Sequence, residues 1–214
     1  METRARLTAW LLCALAIPAA APRLRAQADD LRAARTMGSA TAPVTMYIMS
    51  DFECPFCGDF ARGTMQTIER EYVETGKMRV IFVNFPLTSI HPNAEPAAEL
   101  AMCAARQNKF WQMHDLLFRH QDAWVELKDP GSYFLSLGDS IGANRAELTA
   151  CLTTHQTRAL VQADAEGSAR TGAHATPSFY IEGGLMSGDS PIQQFRPILD
   201  SIIKAKTEHP ARAR

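Results

Sequence analysis

Two cysteines spaced three residues apart, Cys54 and Cys57, stand where a predicted strand gives way to a predicted helix. The strand is the short apolar run from Val44 to Met49, whose composition is typical of strands. Pro55 suits the first turn of a helix, and the side chains of one helix face then recur every four residues until Gly76. Those side chains are Phe60, Thr64, Ile68 and Tyr72. This arrangement restricts the fold to one in which a helix begins beside both sulfurs.

The rest of the chain predicts an α/β fold that is interrupted by helices. Residues 78–85 are apolar at nearly every position, as expected for a strand buried on both faces, and they complete a right-handed βαβ unit. Helical periodicity then replaces strand character over about residues 88–172. Strand composition returns at Ser178–Ile181, a turn signal follows at Gly183-Gly184, and an amphipathic helix closes the pattern. We therefore predict an α/β domain over residues 43–207 with an inserted all-helical subdomain.

Local signals place two helix boundaries within the predicted insertion. Asn144, followed by Glu147 three residues later, resembles a capping box and predicts a helix that begins there. The last helix of the insertion is expected to run from about Gln156 to Arg170, because Gly172 is a typical C-terminal stop.

The first 28 residues have the composition of a secretory signal sequence. Arg4 and Arg6 form a short basic region, an apolar run extends from Leu7 to Ile17, and Ala26-Gln27-Ala28 has small residues at the cleavage spacing. The apolar run stops well short of the ~20 residues that a membrane-spanning helix needs, which favours a cleaved signal over an anchor. We expect cleavage near Ala28 and export to the periplasm.

The two ends of the remaining chain and its charge lead to further expectations. Residues 29–42 form a polar, alanine-rich lead-in without clear periodicity, and residues 208–214 are expected to be a disordered tail. Lys and Arg number 22 against 23 Asp and Glu, so no basic excess favours nucleic acid as a partner. No N-terminal oligomerisation domain is evident, and we therefore expect a monomer.

The position of Cys54 and Cys57 favours redox chemistry. A cysteine at a helix start lies near unpaired backbone N–H groups and the positive end of the helix dipole, and both favour the thiolate. Such surroundings lower a cysteine pKa from about 8.5 to between roughly 3.5 and 7.5. Cys54, at the exposed helix start, is then the nucleophile, and Cys57, about one turn inward, is the resolving thiol. The alternatives are a structural disulfide and half of a zinc site, but His114 and His120 lack the spacing of zinc ligands.

Three motifs in this order resemble one family. They are Ser50-Asp51-Phe52-Glu53-Cys54-Pro55-Phe56-Cys57, Phe110-Trp111-Gln112-Met113-His114-Asp115 and Thr176-Pro177-Ser178-Phe179. Together they resemble the DsbA-like, thioredoxin-fold thiol:disulfide oxidoreductases of the bacterial cell envelope, and the resemblance extends over roughly residues 43–205. A C-x-x-C motif alone is a moderate signal, whereas the three motifs with a helical stretch between them are a strong one.

The resemblance implies a role for each matching residue. Cys54 matches the attacking cysteine, Cys57 the resolving cysteine, and Pro177 the cis-proline that faces the active site. A cis bond there would direct the backbone of Thr176 outward as a short strand edge, where a substrate peptide can pair beside the disulfide. We therefore place Pro55, Phe56, Thr176 and Pro177 on the predicted substrate-binding surface. Without the C-x-x-C motif, Thr176-Pro177 would indicate an ordinary strand start.

Two residues depart from the pattern of the strongly oxidising members of the family. Those members have a histidine between the cysteines, whereas Phe56 offers only an apolar ring. Glu53, next to the nucleophile, disfavours a second negative charge if the two side chains approach each other. Both departures predict a milder oxidant.

Cys103 and Cys151 both fall in the predicted insertion. In an exported protein, two remaining thiols are expected to pair, and we predict a structural disulfide that ties two insertion helices together. The alternative is that both cysteines stay buried, reduced and inert.

Three functions are consistent with these residues. The first is an enzyme that exchanges disulfides with exported cysteine-containing proteins and is reset by a membrane redox partner, with no cofactor and no metal. The second is a soft-metal protein that binds Cu(I) through Cys54 and Cys57. The third is a redox-inactive interaction module on the same fold. Thr176-Pro177 favours exchange, because metal capture needs no peptide-presenting loop. The direction of exchange, towards oxidation, isomerisation or reduction, stays open.

Overall fold

The computed structural model describes residues 29–208, so the predicted signal sequence and residues 209–214 of the predicted tail lie outside the described residues. In this part of the chain the sheet has five strands in the order β1-β3-β2-β4-β5. The strands are β1 (Thr36–Met37), β2 (Val44–Ser50), β3 (Met78–Asn84), β4 (Ser178–Ile181) and β5 (Gly184–Ser187). Strands β2 and β3 pair in parallel, from Val44 opposite Met78 to Ser50 opposite Asn84. The other three pairings are antiparallel.

The helices lie before β1, between β2 and β3, between β3 and β4, and after β5. Residues 29–34 are helical (α1). Between β2 and β3 lie α2 (Pro55–Arg62), α3 (Thr64–Ile68) and a π-helical turn at Glu69–Val73. The insertion between β3 and β4 consists of α4 (Ala94–Ala105), α5 (Phe110–Arg119), α6 (Gln121–Trp124), α7 (Gly131–Ser140), α8 (Arg145–Thr153) and α9 (Arg158–Arg170). Helix α10 (Ile192–Glu208) follows β5. Within residues 29–208, no helix is long and apolar enough to cross a bilayer.

The alternation of side chains along β2 places its two faces against different layers. Val44, Met46 and Ile48 are buried and pack in one cluster with side chains of α2, α3 and α10. Tyr47 and Met49 lie on the opposite face of the sheet. The sheet therefore separates the helix that carries the cysteine pair from a second layer, to which α9 contributes.

Phe52 connects the cysteine pair to the core of the insertion. Its ring stacks on Phe82 of β3 at 5.0 Å and contacts Phe118 of α5 at the same centroid distance. This cluster continues into the insertion through Trp124 and Phe134, which are both buried. Because Phe52 lies two positions before Cys54, packing of the insertion fixes the backbone that leads into the cysteine pair.

A disulfide joins α4 to α8 inside the insertion. Cys103 and Cys151 are bonded, their Cα atoms are 5.9 Å apart, and both are buried. Asn144, the residue before α8, accepts a hydrogen bond from the backbone N–H of Glu147, as the capping-box pattern predicted. The disulfide thus closes a long loop of the chain. This loop includes the four connections that lead from α4 through α5, α6 and α7 to α8.

The lead-in has more structure than its sequence pattern predicted. It contains α1 and the edge strand β1, in which Thr36 pairs opposite Ile81 of β3. The next residue back, Arg35, forms an ion pair with Asp164 of α9. Both contacts join residues that are far apart in sequence, so local sequence patterns do not predict them. At the other end, α10 includes Glu208, the first residue of the predicted tail.

Candidate active site

Cys54 is the N-cap residue of α2, and Pro55 occupies the first helical position. The Cys54 backbone is extended, and its carbonyl accepts hydrogen bonds from the N–H groups of Cys57 and Gly58 at 3.1 and 3.2 Å. The sulfur therefore lies at the start of the helix, where the backbone N–H groups of Phe56 and Cys57 favour its negative charge. The structure places the cysteine pair where the strand and helix patterns predicted it.

Cys54 is buried, which differs from the exposed helix start that the sequence predicted. Only 4% of Cys54 and 1% of Cys57 is exposed to solvent. Two contacts from distant segments account for this burial. The Cys54 thiol donates a hydrogen bond to the carbonyl oxygen of Thr176 at 3.4 Å, and the side-chain amide of Gln121 binds the Cys54 carbonyl oxygen at 2.9 Å. Phe56, between the cysteines, is instead 60% exposed.

The two thiols are electrostatically unequal. A hydrogen bond with Cys57 is the main cause that lowers the pKa of the Cys54 thiol to about 6, and the helix N–H groups add to it against the opposing effect of burial. Burial raises the pKa of Cys57 well above its usual value, and the neighbouring Cys54 raises it further. At neutral pH the pair thus holds one thiolate and one thiol.

The loop before β4 lies against Cys54. The Thr176-Pro177 peptide bond is cis, and the Pro177 carbonyl oxygen accepts a hydrogen bond from the N–H of Gly188 at 2.8 Å. Thr176 and Pro177 are both buried, so the loop is more enclosed than the outward strand edge that we expected. The backbone N–H of Thr176 donates no hydrogen bond within residues 29–208. The structure therefore brings together Cys54, Thr176 and Pro177, and it leaves Pro55 and Phe56 on the adjoining surface.

A buried acidic cluster supports the cysteine turn from the other side. The Asp51 carboxylate accepts hydrogen bonds from the backbone N–H groups of Glu53 and Leu87, each at 2.8 Å. One of its oxygens also lies 2.7 Å from His91 Nδ1. The loop after β3 is thereby fixed to the cysteine turn, and it carries Ile90, which is 67% exposed. Sequence reasoning missed this cluster, because the only available signal was an acidic residue on each side of Phe52.

Glu53 bonds to the start of the insertion. Its carboxylate accepts a hydrogen bond from the backbone N–H of Asn93 at 2.6 Å, and burial raises its pKa. Asn93 is the N-cap residue of α4, so Glu53 satisfies an otherwise unpaired donor at the beginning of that helix. Glu53 therefore has a positioning role at α4 that the sequence pattern did not indicate.

The Phe110-to-Asp115 motif lies in the core beside this turn. Phe110 and Met113 are buried, and the ring of His114 packs against the rings of both Phe52 and Phe118, at centroid distances of 5.8 and 4.9 Å. His114 Nδ1 lies 2.9 Å from the Asp115 carboxylate. The motif thus acts through packing against Phe52.

Cys103 and Cys151 are not brought to the C-x-x-C pair. They are bonded to each other within the insertion, whereas Cys54 and Cys57 are free thiols. Within residues 29–208, no group of three or more His, Cys, Asp and Glu side chains is arranged to hold a metal ion. A soft ion at this site would therefore have two protein sulfurs as ligands.

Alkylation of the reduced protein is expected to label Cys54 in preference to Cys57. Because the pKa of Cys54 is lowered to about 6, its labelling rate should rise through pH 6 and level off about one pH unit higher. The raised pKa of Cys57 should keep that thiol unreactive over the same range. Iodoacetamide labelling as a function of pH, with peptide mapping by mass spectrometry, measures both rates. Faster labelling of Cys57 would contradict the assignment.

The fold and the unequal dithiol define a thioredoxin-fold protein. A family model described as thioredoxin matches residues 31–201, and the chain belongs to that family. Among solved structures, alpha-DsbA1 of Wolbachia pipientis superposes with a TM-score of 0.72 at 22% identity, over 81% of this chain and 93% of that chain. BdbD of Bacillus subtilis in its oxidised form gives 0.71 at 21% identity, over 79% and 92% of the two chains. The predicted thioredoxin-like fold with a helical insertion and the DsbA-like resemblance are confirmed.

The sequence relatives include two kinds of protein. The probable disulfide bond formation protein D of Bacillus anthracis is 23% identical over 174 residues, which are 79% of this chain and 78% of that protein. The Na⁺/H⁺ antiporter NhaA 3 of Salinispora tropica is 31% identical over 193 residues, which are 84% of this chain but 28% of the antiporter. The chain therefore spans little more than a quarter of the antiporter relative that it matches.

Proposed function

We propose that this protein is an exported thiol:disulfide oxidoreductase that exchanges disulfides with cysteine-containing proteins in the periplasm. The observation that supports this function best is the asymmetry of the dithiol. Cys54 has a lowered pKa and contacts the carbonyl of Thr176, whereas Cys57 has a raised pKa and is more deeply buried. Exchange needs this difference, because one sulfur must attack and leave as a thiolate while the other resolves the intermediate.

In the oxidising direction, a substrate thiolate attacks Cys54 of the Cys54–Cys57 disulfide. A substrate–Cys54 bond forms, the bond between the two cysteines breaks, and Cys57 leaves with the electron pair and takes up a proton. A second substrate thiolate then attacks the substrate sulfur and displaces Cys54 as a thiolate. Two substrate thiols become one disulfide, and the protein gains two electrons. The low pKa of Cys54 makes it a good leaving group in the second step.

The reducing direction runs through the same mixed disulfide. The Cys54 thiolate attacks a substrate disulfide, and Cys57, after losing its proton, displaces the reduced substrate. The raised pKa of Cys57 makes this resolving step the slower one at neutral pH. The reduction potential of the pair therefore decides the direction, and equilibration with glutathione measures it. A reduction potential of about −120 mV corresponds to a disulfide donor, and one of about −270 mV corresponds to a reductant. If the protein exchanged no disulfide with a reduced or an oxidised peptide, the proposed function would be wrong.

Turnover in either direction requires a partner that resets Cys54 and Cys57. We propose a membrane redox partner for this step. The antiporter-named relatives support a location beside membrane proteins, because a segment similar to this chain is part of their length. The signal-like composition of residues 1–28 supports export, and we propose that the protein acts as a monomer.

Thr176→Arg is expected to slow exchange with a cysteine-containing peptide by at least about tenfold, because it places bulk where the peptide backbone pairs. Exchange with dithiothreitol, which needs no strand pairing, should slow less. Stopped-flow measurements with both thiols give the two rates.

Since Thr176 is buried, the comparison needs a matched variant and a stability measurement. Ala175→Arg adds the same bulk and charge one residue earlier, at a half-buried position. Thermal unfolding of both variants separates loss of fold from loss of substrate pairing. Equal slowing with the peptide and with dithiothreitol would contradict a peptide-binding role for Thr176.

A copper-binding role is the second candidate for the same two cysteines, and their proximity is the observation in its favour. Metal ligation requires both sulfurs as thiolates, and the raised pKa of Cys57 disfavours that state. Exchange needs only one thiolate at a time, so it fits the pair better. Cu(I) titration against a chelator of known affinity would test the alternative.

A further inference from the structure

A cavity of about 400 Å³ opens on the face of the sheet opposite α2. Its floor consists of side chains from β2, β3 and β4, and its walls are α1 with the residue that follows it and the helix α9. The floor residues are Tyr47, Met49, Ile81, Val83 and Tyr180. Ligand sites in proteins commonly measure about 300–1,000 Å³ and have apolar linings with a few polar groups. The redox cysteines and the Thr176-Pro177 loop do not line this cavity.

One wall of the cavity contains a buried donor without a partner. Arg35 is 7% exposed, and its two terminal nitrogens bind the carboxylate of Asp164. Asn84 donates two further hydrogen bonds to the same carboxylate. The Arg35 Nε, in contrast, has no hydrogen-bond partner within the described residues. A buried donor of this kind is destabilising unless another group accepts from it.

The remaining polar groups that line the cavity are hydroxyls and one cation. Tyr47 and Tyr180 face each other across β2 and β4, with ring centroids 6.4 Å apart. Neither tyrosine hydroxyl forms a hydrogen bond in the described part of the chain. Arg32 lies at the rim and is exposed, and its guanidinium forms no ion pair within residues 29–208. Because Asp164 neutralises Arg35, the unpaired charge of Arg32 gives the cavity a net positive charge.

We propose that this cavity is a binding site for a small aromatic anion, such as an aromatic carboxylate or sulfonate. The rings of Tyr47 and Tyr180 and the apolar floor take the aromatic part of the ligand. Arg32 attracts its anionic group. The site lies apart from the proposed exchange chemistry and does not depend on it.

Two residues of α9 that line the cavity can be replaced by larger side chains that fill it. A Cβ atom at Gly167 would lie no closer than 3.7 Å to its nearest neighbour, the Arg170 guanidinium, so a side chain can begin there without a clash at its first carbon. Ala163, on the same helix, also lines the cavity and is exposed. Gly167→Phe and Ala163→Phe should therefore occupy ligand space with little disturbance of the fold.

Fluorescence titration with anilinonaphthalene sulfonate tests the proposal, with the uncharged N-phenylnaphthylamine as the matched probe. We expect one sulfonate site per chain, and Gly167→Phe and Ala163→Phe should abolish binding of both probes. Arg32→Gln should weaken the sulfonate about fivefold and leave the uncharged probe unchanged. Arg70→Gln removes an exposed charge that does not line the cavity, and it should change neither affinity. Thermal unfolding verifies that each variant is folded.

Phe56→Ser controls for the exposed apolar residue beside Cys54, which is the obvious competing site for these probes. Binding that survives both cavity-filling variants and disappears in Phe56→Ser would overturn the proposal. So would the absence of any sulfonate binding to the unmodified protein. Equal affinity for the two probes, with no effect of Arg32→Gln, would overturn the assignment of an anionic ligand.

Discussion

Replacing Cys54 by Ser is expected to reduce disulfide exchange by at least about a thousandfold, in both directions. A hydroxyl group forms no disulfide, and the substitution leaves Cys57 as the remaining thiol of the C-x-x-C motif. Burial keeps Cys57 protonated, so it cannot replace Cys54 as the nucleophile. Reduction of a peptide disulfide, followed under pseudo-first-order conditions, measures the loss.

Cys57→Ser should behave differently, because the attacking thiol remains. Cys54 is still able to attack a substrate disulfide, but the mixed disulfide lacks an internal resolving thiol and should accumulate at one substrate per chain. Non-reducing electrophoresis and intact-mass measurement detect that adduct. Accumulation of the adduct in Cys54→Ser instead would reverse the two assignments.

Patterns that depend on neighbouring residues predicted the framework of the site. The β2 strand, the Pro55 first turn and the parallel β3 strand place Cys54 at a helix start, as the strand composition and helix signals indicated. The boundary at Asn144 was likewise predictable, because a capping box needs only residues three apart. Gly172 has a φ of +90°, which is the left-handed backbone that a glycine stop provides.

Contacts between distant segments were not predictable in the same way. The burial of Cys54 depends on Thr176 and Gln121, which are separated from it by more than 60 residues. The bond between Asp51 and His91 depends on how the loop after β3 returns to the cysteine turn. Nothing in the local sequence distinguishes Gln121 and His91 from surface residues, and Thr176 was placed beside the cysteines only through the family resemblance. Sequence therefore predicted which two cysteines form the site, and the tertiary contacts determine their burial and electrostatics.

We expect the stability of the helical insertion to depend on its disulfide. Cys103 and Cys151 are 48 positions apart, and the chain-entropy treatment gives about 4 kcal/mol of stabilisation for a loop of this length. Replacing both by Ala should lower the melting temperature by roughly 10 °C for a chain of this size. Neither residue has the helix-start environment that activates Cys54, so exchange by the folded variant should stay nearly unchanged.

Thermal unfolding and a peptide-disulfide reduction assay on the double-alanine variant decide between a structural and a redox role. Alanine also removes buried sulfur atoms, and this packing loss needs its own control. Unmodified protein that has been unfolded and refolded with excess dithiothreitol keeps both sulfurs and lacks the bond, so it isolates the effect of the crosslink. If the refolded protein and the alanine variant melt together, well below the oxidised protein, the crosslink supplies the stability. Unchanged melting together with a collapse of exchange would instead mean that Cys103 and Cys151 pass electrons to the Cys54 site.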